Sequence, residues 1–457
     1  MAIYTVFRGT GSCIPDIVWK NTDFKDAVFY GLDGKIVDKS TQQIIGDFRD
    51  KTKVGIEERR YARPDQSASD LGFIAAERTL ESSGFDRDTI GCISVAHNFE
   101  NTYTLGSKLD LVPSFAARIK RELGIDVPGM IAYDIVTNWE DLRRIKDGYG
   151  IASGEKSLVV ELDQTPTDGN LSGVYEMARE KLADLGIDKE GLEKIVVVHK
   201  GIPNMAGKLK TRLGLRPETV AYSIIFGCPG WLQAVIQTDQ YFKLGKAKRA
   251  LVIGAETLSR VSDPHDMDRM IYSDGGGGWG VEAIESEHPV GIVSYAVRSD
   301  ALEYAYLLKM GKSYNPNFQC DGLFLKMEGP KLFKYAAKTV PHVIKESLDK
   351  ARMTIDNVNM GLFHQANQRL DEAMLHGTYR LYGKTPDQIP KNVMPLTIPW
   401  LGNNSVVTLP MASDLIAKGT DTRLKDYSFR KGDVILFASV GAGMNSNAVV
   451  YIVPPKD

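Results

Sequence analysis

Val220-Ala221-Tyr222-Ser223-Ile224-Ile225 runs straight into Phe226-Gly227-Cys228-Pro229-Gly230-Trp231. The first six residues are apolar and strand-like, and they predict a buried strand. Leu232, Val235 and Ile236 then share one face of a predicted helix that reaches Leu244, with Gly245 as its stop signal. The turn between strand and helix carries a cysteine. A helix N-terminus favours a thiolate there, and the thiolate is the nucleophile. Pro229 suits the first helical turn because its missing N–H would have no intrahelical partner. The same cysteine also reads as a small buried apolar residue, and the turn alone leaves both readings open.

Upstream, residues 3–9 predict a first strand that ends in the turn-rich Gly9-Thr10-Gly11-Ser12. From Ser69 the pattern is α/β: a helix to Ser83 capped by Gly84, a strand Cys92 to His97, a helix Pro113 to Leu123 capped by Gly124, and a strand Met130 to Ile135. Such alternation implies a mainly parallel sheet covered on both faces. The pattern then repeats. Gly173 to His199 matches Leu71 to His97 without a gap, 102 positions on, through Ala178, Leu182, Gly186 and Asp188. Pro203, Leu213 and Gly214 answer Pro113, Leu123 and Gly124, and Ala221-Tyr222-Ser223-Ile224 answers Ala132-Tyr133-Asp134-Ile135. Trp139, Ser153-Gly154-Glu155-Lys156 and Leu158-Val159-Val160 echo Trp231, Leu244-Gly245-Lys246 and Leu251-Val252-Ile253 more weakly. The segments 69–163 and 171–256 therefore read as two copies of a β-α-β-α unit of roughly 90 residues. The first copy has Val136-Thr137-Asn138-Trp139 where the second has the cysteine turn, so the chemistry belongs to the second copy. A strained turn needs a fixed strand leading into it, which places Thr219 to Ile225 in the central sheet and displaces the first copy or packs it as an extra lobe.

Downstream, a buried strand at Ala250 to Gly254 precedes Tyr272-Ser273-Asp274 and four glycines, Gly275 to Gly278. A glycine run cradles phosphate only when a helix starts behind it. Trp279-Gly280-Val281-Glu282 reads as a strand instead, so a tight turn under the active site is the favoured reading. A second half restarts at Gly291, with a helix from Gly329 to Lys350 and a strand Met360 to Phe363 that leads into His364-Gln365-Ala366-Asn367. Trp400 to Ser405, a helix to Lys418, and two strands (434–438 and 448–453) around Gly441-Ala442-Gly443 follow. The expected domains are 1–288, holding the cysteine and a net insertion of 136–225, and 289–457, holding the histidine and asparagine.

The 457 residues carry a net charge of −2, which leaves no footprint for nucleic acid or an anionic membrane. No apolar run approaches the roughly 18 residues of a membrane span, and Met1-Ala2-Ile3-Tyr4 lacks a signal-peptide pattern. Cys13, Cys92, Cys228 and Cys320 are scattered, which fits reduced thiols in a cytoplasmic enzyme better than a disulfide or metal framework. Cys228, His364, Asn403 and the glycines 441–443 all fall at predicted strand ends, where α/β sheets bind ligands. Thiolate, imidazole and carboxamide together suit acyl transfer through a covalent thioester. Singly, His364 reads equally as a core histidine and Asn403 as a helix N-cap.

The ordered set Gly227-Cys228-Pro229-Gly230, Leu251 to Glu256, Ser273-Asp274-Gly275, Met327-Glu328-Gly329, His364-Gln365-Ala366-Asn367, Gly402-Asn403-Asn404-Ser405 and Gly441-Ala442-Gly443 resembles the β-ketoacyl-acyl-carrier-protein synthase III family. The resemblance covers residues 1–135 and 226–457. It implies a thiolase-like fold of duplicated α-β-α-β-α layers, here with the extra tandem repeat in its N-terminal half. Glu256 to His265 and Tyr306 to Pro316 are similar to the ketosynthase III-like enzymes of dialkylresorcinol biosynthesis. Carried over, the resemblance makes Cys228 the acyl acceptor. It makes His364 and Asn403 the donors to the second substrate's carbonyl, and the N–H groups of Cys228 and Gly443 the oxyanion hole. Asp274, Gly275, Gln365 and Asn367 become supporting residues. It implies a Claisen condensation of acyl thioesters borne by acyl carrier protein or coenzyme A, a homodimer, and neither metal nor organic cofactor.

Three departures stand out. The 90 residues 136–225 enter immediately before the nucleophile turn. The family's Asp-Gly-Ala-Gly-Ala is Asp274 and four glycines, which removes two methyl groups and predicts a looser backbone. Phe48-Arg49-Asp50 stands where coenzyme A-primed members carry an adenine-stacking tryptophan. The competing functions are acyl transfer to an oxygen or nitrogen acceptor, and a non-catalytic chain that binds an acyl carrier. Lys246, Lys248 and Arg249 form a basic cluster open to two readings, a carrier contact or a solvated surface.

Overall fold

The computed structural model describes residues 1–99, 101–127, 130–149, 156–166, 171–186, 188–200, 202 and 204–455. Pro203 and Ser153-Gly154-Glu155, named among the repeat correspondences, lie outside them. The chain opens with β1 (Ala2–Cys13), β2 (Ile17–Lys20), α1 (Thr41–Arg49), β3 (Glu58–Tyr61), α2 (Ala68–Ser83) and β4 (Cys92–Ala96). It continues with α3 (Phe115–Glu122), β5 (Ile131–Val136), α4 (Trp139–Tyr149), β6 (Ser157–Leu162), α5 (Ser172–Leu185) and β7 (Lys194–His199). Next come α6 (Met205–Arg212), β8 (Val220–Ile225), α7 (Gly230–Lys243), β9 (Arg249–Thr257), α8 (Leu258–Val261) and β10 (Asp274–Ser286). Then follow β11 (Gly291–Ser299), α9 (Ala301–Tyr304), β12 (Leu308–Gly311), β13 (Phe324–Met327), α10 (Gly329–Lys350) and β14 (Met360–Phe363). The chain closes with α11 (Gln368–Arg380), α12 (Ile398–Leu401), α13 (Thr408–Lys418), β15 (Val434–Gly441) and β16 (Asn445–Ile452).

One sheet has the order β1-β10-β9-β4-β8-β5-β7-β6, and a second has the order β11-β16-β15-β14. Helix α7 is buried on nearly every side although Gln233, Gln237, Thr238 and Asp239 are polar, and with α13 it packs between the two sheets. Its buried Asp239 accepts from Thr5 Oγ1 at 2.8 Å and is reached by Lys243 Nζ at 2.7 Å, so the carboxylate enters the core with partners. Helices α2 and α6 cover the outer face of the first sheet, and α10 and α11 that of the second. This is the α/β layering that the resemblance implies.

The expected central placement of the second-copy strand is what the sheet shows. β8 pairs parallel with β4 and leads directly into the cysteine turn. Strand β5, read from the sequence as the first copy's, lies on the other side of β8 and pairs with it antiparallel. β7 and β6 continue outward in parallel, so the added strands extend the same sheet and do not form a separate lobe. The sheet is consequently mixed. The segments aligned 102 positions apart take the same local form: α2 and α5 both end on a left-handed glycine, Gly84 (φ 64°) and Gly186 (φ 60°), before a short 3-10 turn and a strand.

Two sequence expectations fail, and for one reason. The turn expected at Gly9–Ser12 is strand, because β1 continues to Cys13 through a bulge between Phe7 and Gly9. The tight turn expected at Gly275 to Gly278 is also strand, paired with β9 on one side and, from Gly276, with β1 on the other. A Cβ on Gly9 or Gly11 would fall on the backbone of α2, and one on Gly276 would fall on the Leu71 carbonyl. On the opposite face a Gly277 Cβ would come within 3.0 Å of Met411 N in α13. These glycines let helices press on the sheet from both sides. The backbone at Gly275 to Gly278 is therefore fixed by two ladders and two helices, contrary to the looseness expected from the missing methyls.

Candidate active site

β8 ends at Ile225, and Gly227 turns the chain with φ 72°. A Cβ there would meet Ala442 N at 2.5 Å, so the cysteine turn and the loop after β15 lie backbone to backbone. A Cβ on Gly441 would likewise fall on the Cys228 backbone. Asn445 Nδ2 donates to Ala442 O at 2.9 Å and Phe226 O at 3.3 Å, and Asn447 Nδ2 donates to Pro229 O at 3.2 Å. Two buried asparagines of β16 thus fasten the elbow, a role the sequence reading missed. Gly443 is buried with φ 77° against Asn445. Gly441 and Ala442 line the cavity beside Cys228, and Gly443 is not among its lining residues.

Cys228, His364 and Asn403, far apart in sequence, open on one cavity of about 710 Å³, its mouth included. Its polar lining adds Asn98, Tyr272 and Ser405, and Leu258, Leu308, Leu325, Met327, Leu332 and Leu370 make most of the remaining wall apolar. Asn403 does not follow a strand. It follows the short α12 and forms a bridge with Tyr272, donating its N–H to Ile271 O at 2.9 Å. Its Oδ1 accepts from Ser405 N at 2.8 Å, which leaves the Nδ2 protons to the cavity.

His364 follows β14 with Nδ1 2.9 Å from Thr408 Oγ1, which is itself 3.1 Å from Ser405 O. With the threonine proton on Ser405 O, the hydroxyl accepts Nδ1–H and Nε2 is a base. With that proton on Nδ1, Nε2–H is a donor. Burial holds the imidazole down at about 3, so it is neutral at physiological pH. Burial pushes the Cys228 thiol up to about 11, with the Ser405 hydrogen bond acting against it. The thiolate expected from the helix N-terminus is therefore not the resting form: desolvation of the enclosed sulfur outweighs the dipole. A neutral base beside a neutral thiol suits proton transfer at the moment of attack.

The supporting residues divide by position. Asn367 lines the cavity and caps α11, accepting from Leu370 N at 2.9 Å. Gln365 faces away: Oε1 accepts from Thr397 N at 2.9 Å and Ile398 N at 3.2 Å, which holds the loop leading to Asn403. Asp274 accepts from Ala62 N, Ser259 N and Ser259 Oγ, and burial raises its carboxyl to about 6. A Cβ on Gly275 would meet Met411 and Asn404, so this glycine underlies the asparagine loop. Glu256, quoted in the sequence motif without a role, is buried and raised to about 8 by desolvation; Oε1 accepts from Asn98 N at 2.6 Å.

Lys246 and Lys248 lie past the C-terminal end of α7, about 20 Å from Cys228 by helix rise, and Arg249 is paired with Glu282 at 2.8 Å. Among the described residues no group of three or more His, Cys, Asp or Glu is placed to hold a metal ion, and no helix is long and apolar enough to cross a membrane.

Residues 223–301 match the family model for 3-oxoacyl-[acyl-carrier-protein] synthase III. The chain is 30% identical over 279 residues to the β-ketoacyl-[acyl-carrier-protein] synthase III of Erythrobacter litoralis, covering 60% of this chain and 81% of that protein. It is 26% identical over 444 residues to the enzyme of the same name from Salmonella paratyphi A, covering 96% and 97%. In fold it is similar to the 3-oxoacyl-(acyl carrier protein) synthase III of Pseudomonas aeruginosa, with a TM-score of 0.62, 17% identity and 99% of each chain covered.

Proposed function

We infer the function from one premise: the chain belongs to the β-ketoacyl-[acyl-carrier-protein] synthase III family. It is an acyltransferase that condenses acyl thioesters by Claisen-type carbon–carbon bond formation. Our reading assigns the steps to this chain's residues, and the opening of Cys228, His364 and Asn403 onto one largely apolar cavity is the observation that carries it. The Cys228 thiol attacks an acyl thioester while its proton passes to His364 Nε2. The tetrahedral intermediate expels the carrier thiolate, which takes that proton from the imidazolium. A second thioester then gives its α-proton to His364. Asn403 Nδ2 and the imidazolium hold the enolate oxygen, and the α-carbon attacks the acyl-cysteine carbonyl. Cys228 leaves as thiolate and recovers the proton. Cys228 N–H and Gly443 N–H are the proposed oxyanion donors, and each such donor commonly contributes about 3–4 kcal/mol.

At a finer level, we read the substrates as a β-ketoacyl thioester and a second acyl thioester, joined and cyclised toward a dialkylresorcinol precursor. The two stretches similar to that subgroup support this reading. Asp263 accepts from Ser313 Oγ and Tyr314 N, both at 2.8 Å, and from Lys326 Nζ at 2.5 Å. This clasp fixes the β12–β13 ribbon, whose Leu308, Leu325 and Met327 form one cavity wall. We also propose that 69–163 and 171–256 are internal copies, that the carrier is an acyl carrier protein, and that residues 1–288 and 289–457 are the two halves.

The test is acylation. Incubation with radiolabelled acyl thioesters should label the chain at Cys228, and Cys228→Ala should abolish the label. Mass spectrometry of products from mixed β-ketoacyl and acyl thioesters should then show a new carbon–carbon bond. An unlabelled protein, or an ester or amide as sole product, would overturn the reading.

A further inference from the structure

The cavity wall holds one hydroxyl that the reaction above does not use. Tyr272 is 4% exposed and lines the cavity, and its Oη has no hydrogen-bond partner among the described residues. Its backbone is fixed from three sides. It bridges Asn403, Tyr272 N donates to Arg269 O at 3.3 Å, and the next residue's N–H donates to Asn403 O at 2.8 Å. The ring therefore stands beside the proposed enolate-holding amide. Its titratable neighbours are Asp268, Asp266, Cys228 and Tyr314, and none of them hydrogen-bonds it. Asp266 accepts from Asp268 N and Lys326 Nζ, and Tyr314 lies over the Lys326 ammonium at 3.4 Å. A buried hydroxyl left without a partner costs stability unless a bound molecule supplies one. Most of the remaining cavity wall is apolar, so an oxygen of the acyl unit is the partner that the site is shaped to receive.

We propose that Tyr272 is a specificity-determining residue: its hydroxyl donates to an oxygen on the acyl chain beyond the thioester carbonyl, so that the cavity selects 3-oxygenated acyl thioesters over plain ones of equal length. The proposal rests on the condensing function above. A keto oxygen and a hydroxyl oxygen both accept this bond. A site built to meet a substrate oxygen rejects the analogue that lacks it, because the protein group is then left unpaired.

The experiment compares kcat/KM for Cys228 acylation by 3-oxoacyl, 3-hydroxyacyl and unsubstituted acyl pantetheine thioesters of one chain length, in the wild type and in Tyr272→Phe. The wild type should favour one or both oxygenated thioesters, and the two arms show which oxygen is read. Tyr272→Phe should lose about 10–100-fold on the favoured thioester and change little on the plain one, collapsing the ratio. The substitution keeps the ring, and a thermal melt checks that the fold is retained. As a second readout, a non-hydrolysable 3-oxoacyl pantetheine amide should bind Cys228→Ser more tightly than the doubly substituted Cys228→Ser/Tyr272→Phe protein. Acylation with the same ratio in both proteins, or equal binding of the amide, would overturn this proposal alone. Absence of acylation by any thioester would overturn the condensing function and this proposal with it.

Discussion

At Glu256 a single backbone hydrogen bond meets a fully enclosed carboxyl, and burial wins: the group is pushed up to about 8, so it is mostly protonated at neutral pH. The unfolded chain holds this proton only below about 4.5. Between those values the folded state binds one more proton than the unfolded, so stability falls as pH rises, by about 1.4 kcal/mol per unit. Asp268, at about 8, and Asp274, at about 6, add losses of the same sign. His364, at about 3, and His97, at about 4, act only as pH falls below the usual histidine range. Glu256→Gln keeps an acceptor for Asn98 N and removes one titration. Relative to wild type it should therefore gain about 3 kcal/mol between pH 5.5 and 8.0 in guanidinium unfolding. Equal pH slopes in the two proteins would refute the assignment. The same scale shows what the sequence could carry of the site. Cys228, His364 and Asn403 were legible because each stands in a short ordered motif with its chemistry on its side chain. Tyr272, Thr408 and Asn98 were not, because what matters is which distant residue each does or does not reach. Thr408 takes its role from a histidine 44 positions away, and Tyr272 from a hydroxyl with no partner among the described residues.

Glycine at the element scale shows why local reading stops short. Gly275 to Gly278 in β10 and Gly9 and Gly11 in β1 carry the local signature of turns, yet all lie in strands. The deciding contact is the approach of α2 and α13, which no window around the glycines contains. Substitution separates the two roles of this residue. Gly46 lies in α1 with nothing within 4 Å of a built Cβ, so Gly46→Ala should stabilise by about 0.5–1 kcal/mol through helix propensity. Gly276→Ala drives a methyl onto the Leu71 carbonyl and should cost about 1–3 kcal/mol, because backbone has to move. Parallel thermal melts give the sign of each change. A Gly276→Ala protein as stable as wild type would show that α2 sits less tightly on β10. The alternation of helices and strands was readable from apolar periodicity, and so was the Gly84 and Gly186 punctuation. The order of strands was not. Residues 69–163 and 171–256 present the same local pattern, so only pairing decides that β4 takes β8 and β9 as neighbours while β5 takes β7.

That pairing gives six of the eight strands of the first sheet an internal two-fold arrangement. Outward from the β8–β5 contact run β4 and β9 on one side and β7 and β6 on the other, and each strand faces the one that the proposed repeat makes its counterpart. The register agrees. Ile135 lies opposite Ile224, its own equivalent 89 positions on, while Asp134 faces Ile225 and Val136 faces Ser223. Equivalent residues also repeat a helix-capping contact: Asp134 accepts from Ala116 N at 2.8 Å, and Ser223 Oγ accepts from Ala206 N at 3.2 Å. An isologous contact of this kind is what two identical subunits form about a two-fold axis, and here one chain makes it with itself. The exposed edge that β8 would otherwise offer to a second copy is filled by β5. If the proposed repeat is right, removing residues 136–225 should leave a single copy, put Ile131–Ile135 beside β4, and bare that edge again. The shortened chain should therefore pair with another copy antiparallel about Ile135. Light scattering should return twice its monomer mass, and the full chain should run as a monomer, against the homodimer that the family resemblance implies. Ile135→Pro in the shortened chain removes a ladder N–H and should return it to a monomer. A shortened chain that stays monomeric, or a full chain that dimerises, would refute the internal two-fold as the owner of this edge. The acylation assay on the same pair of proteins then shows whether the nucleophile turn needs β8 in particular or any strand of its kind beside β4.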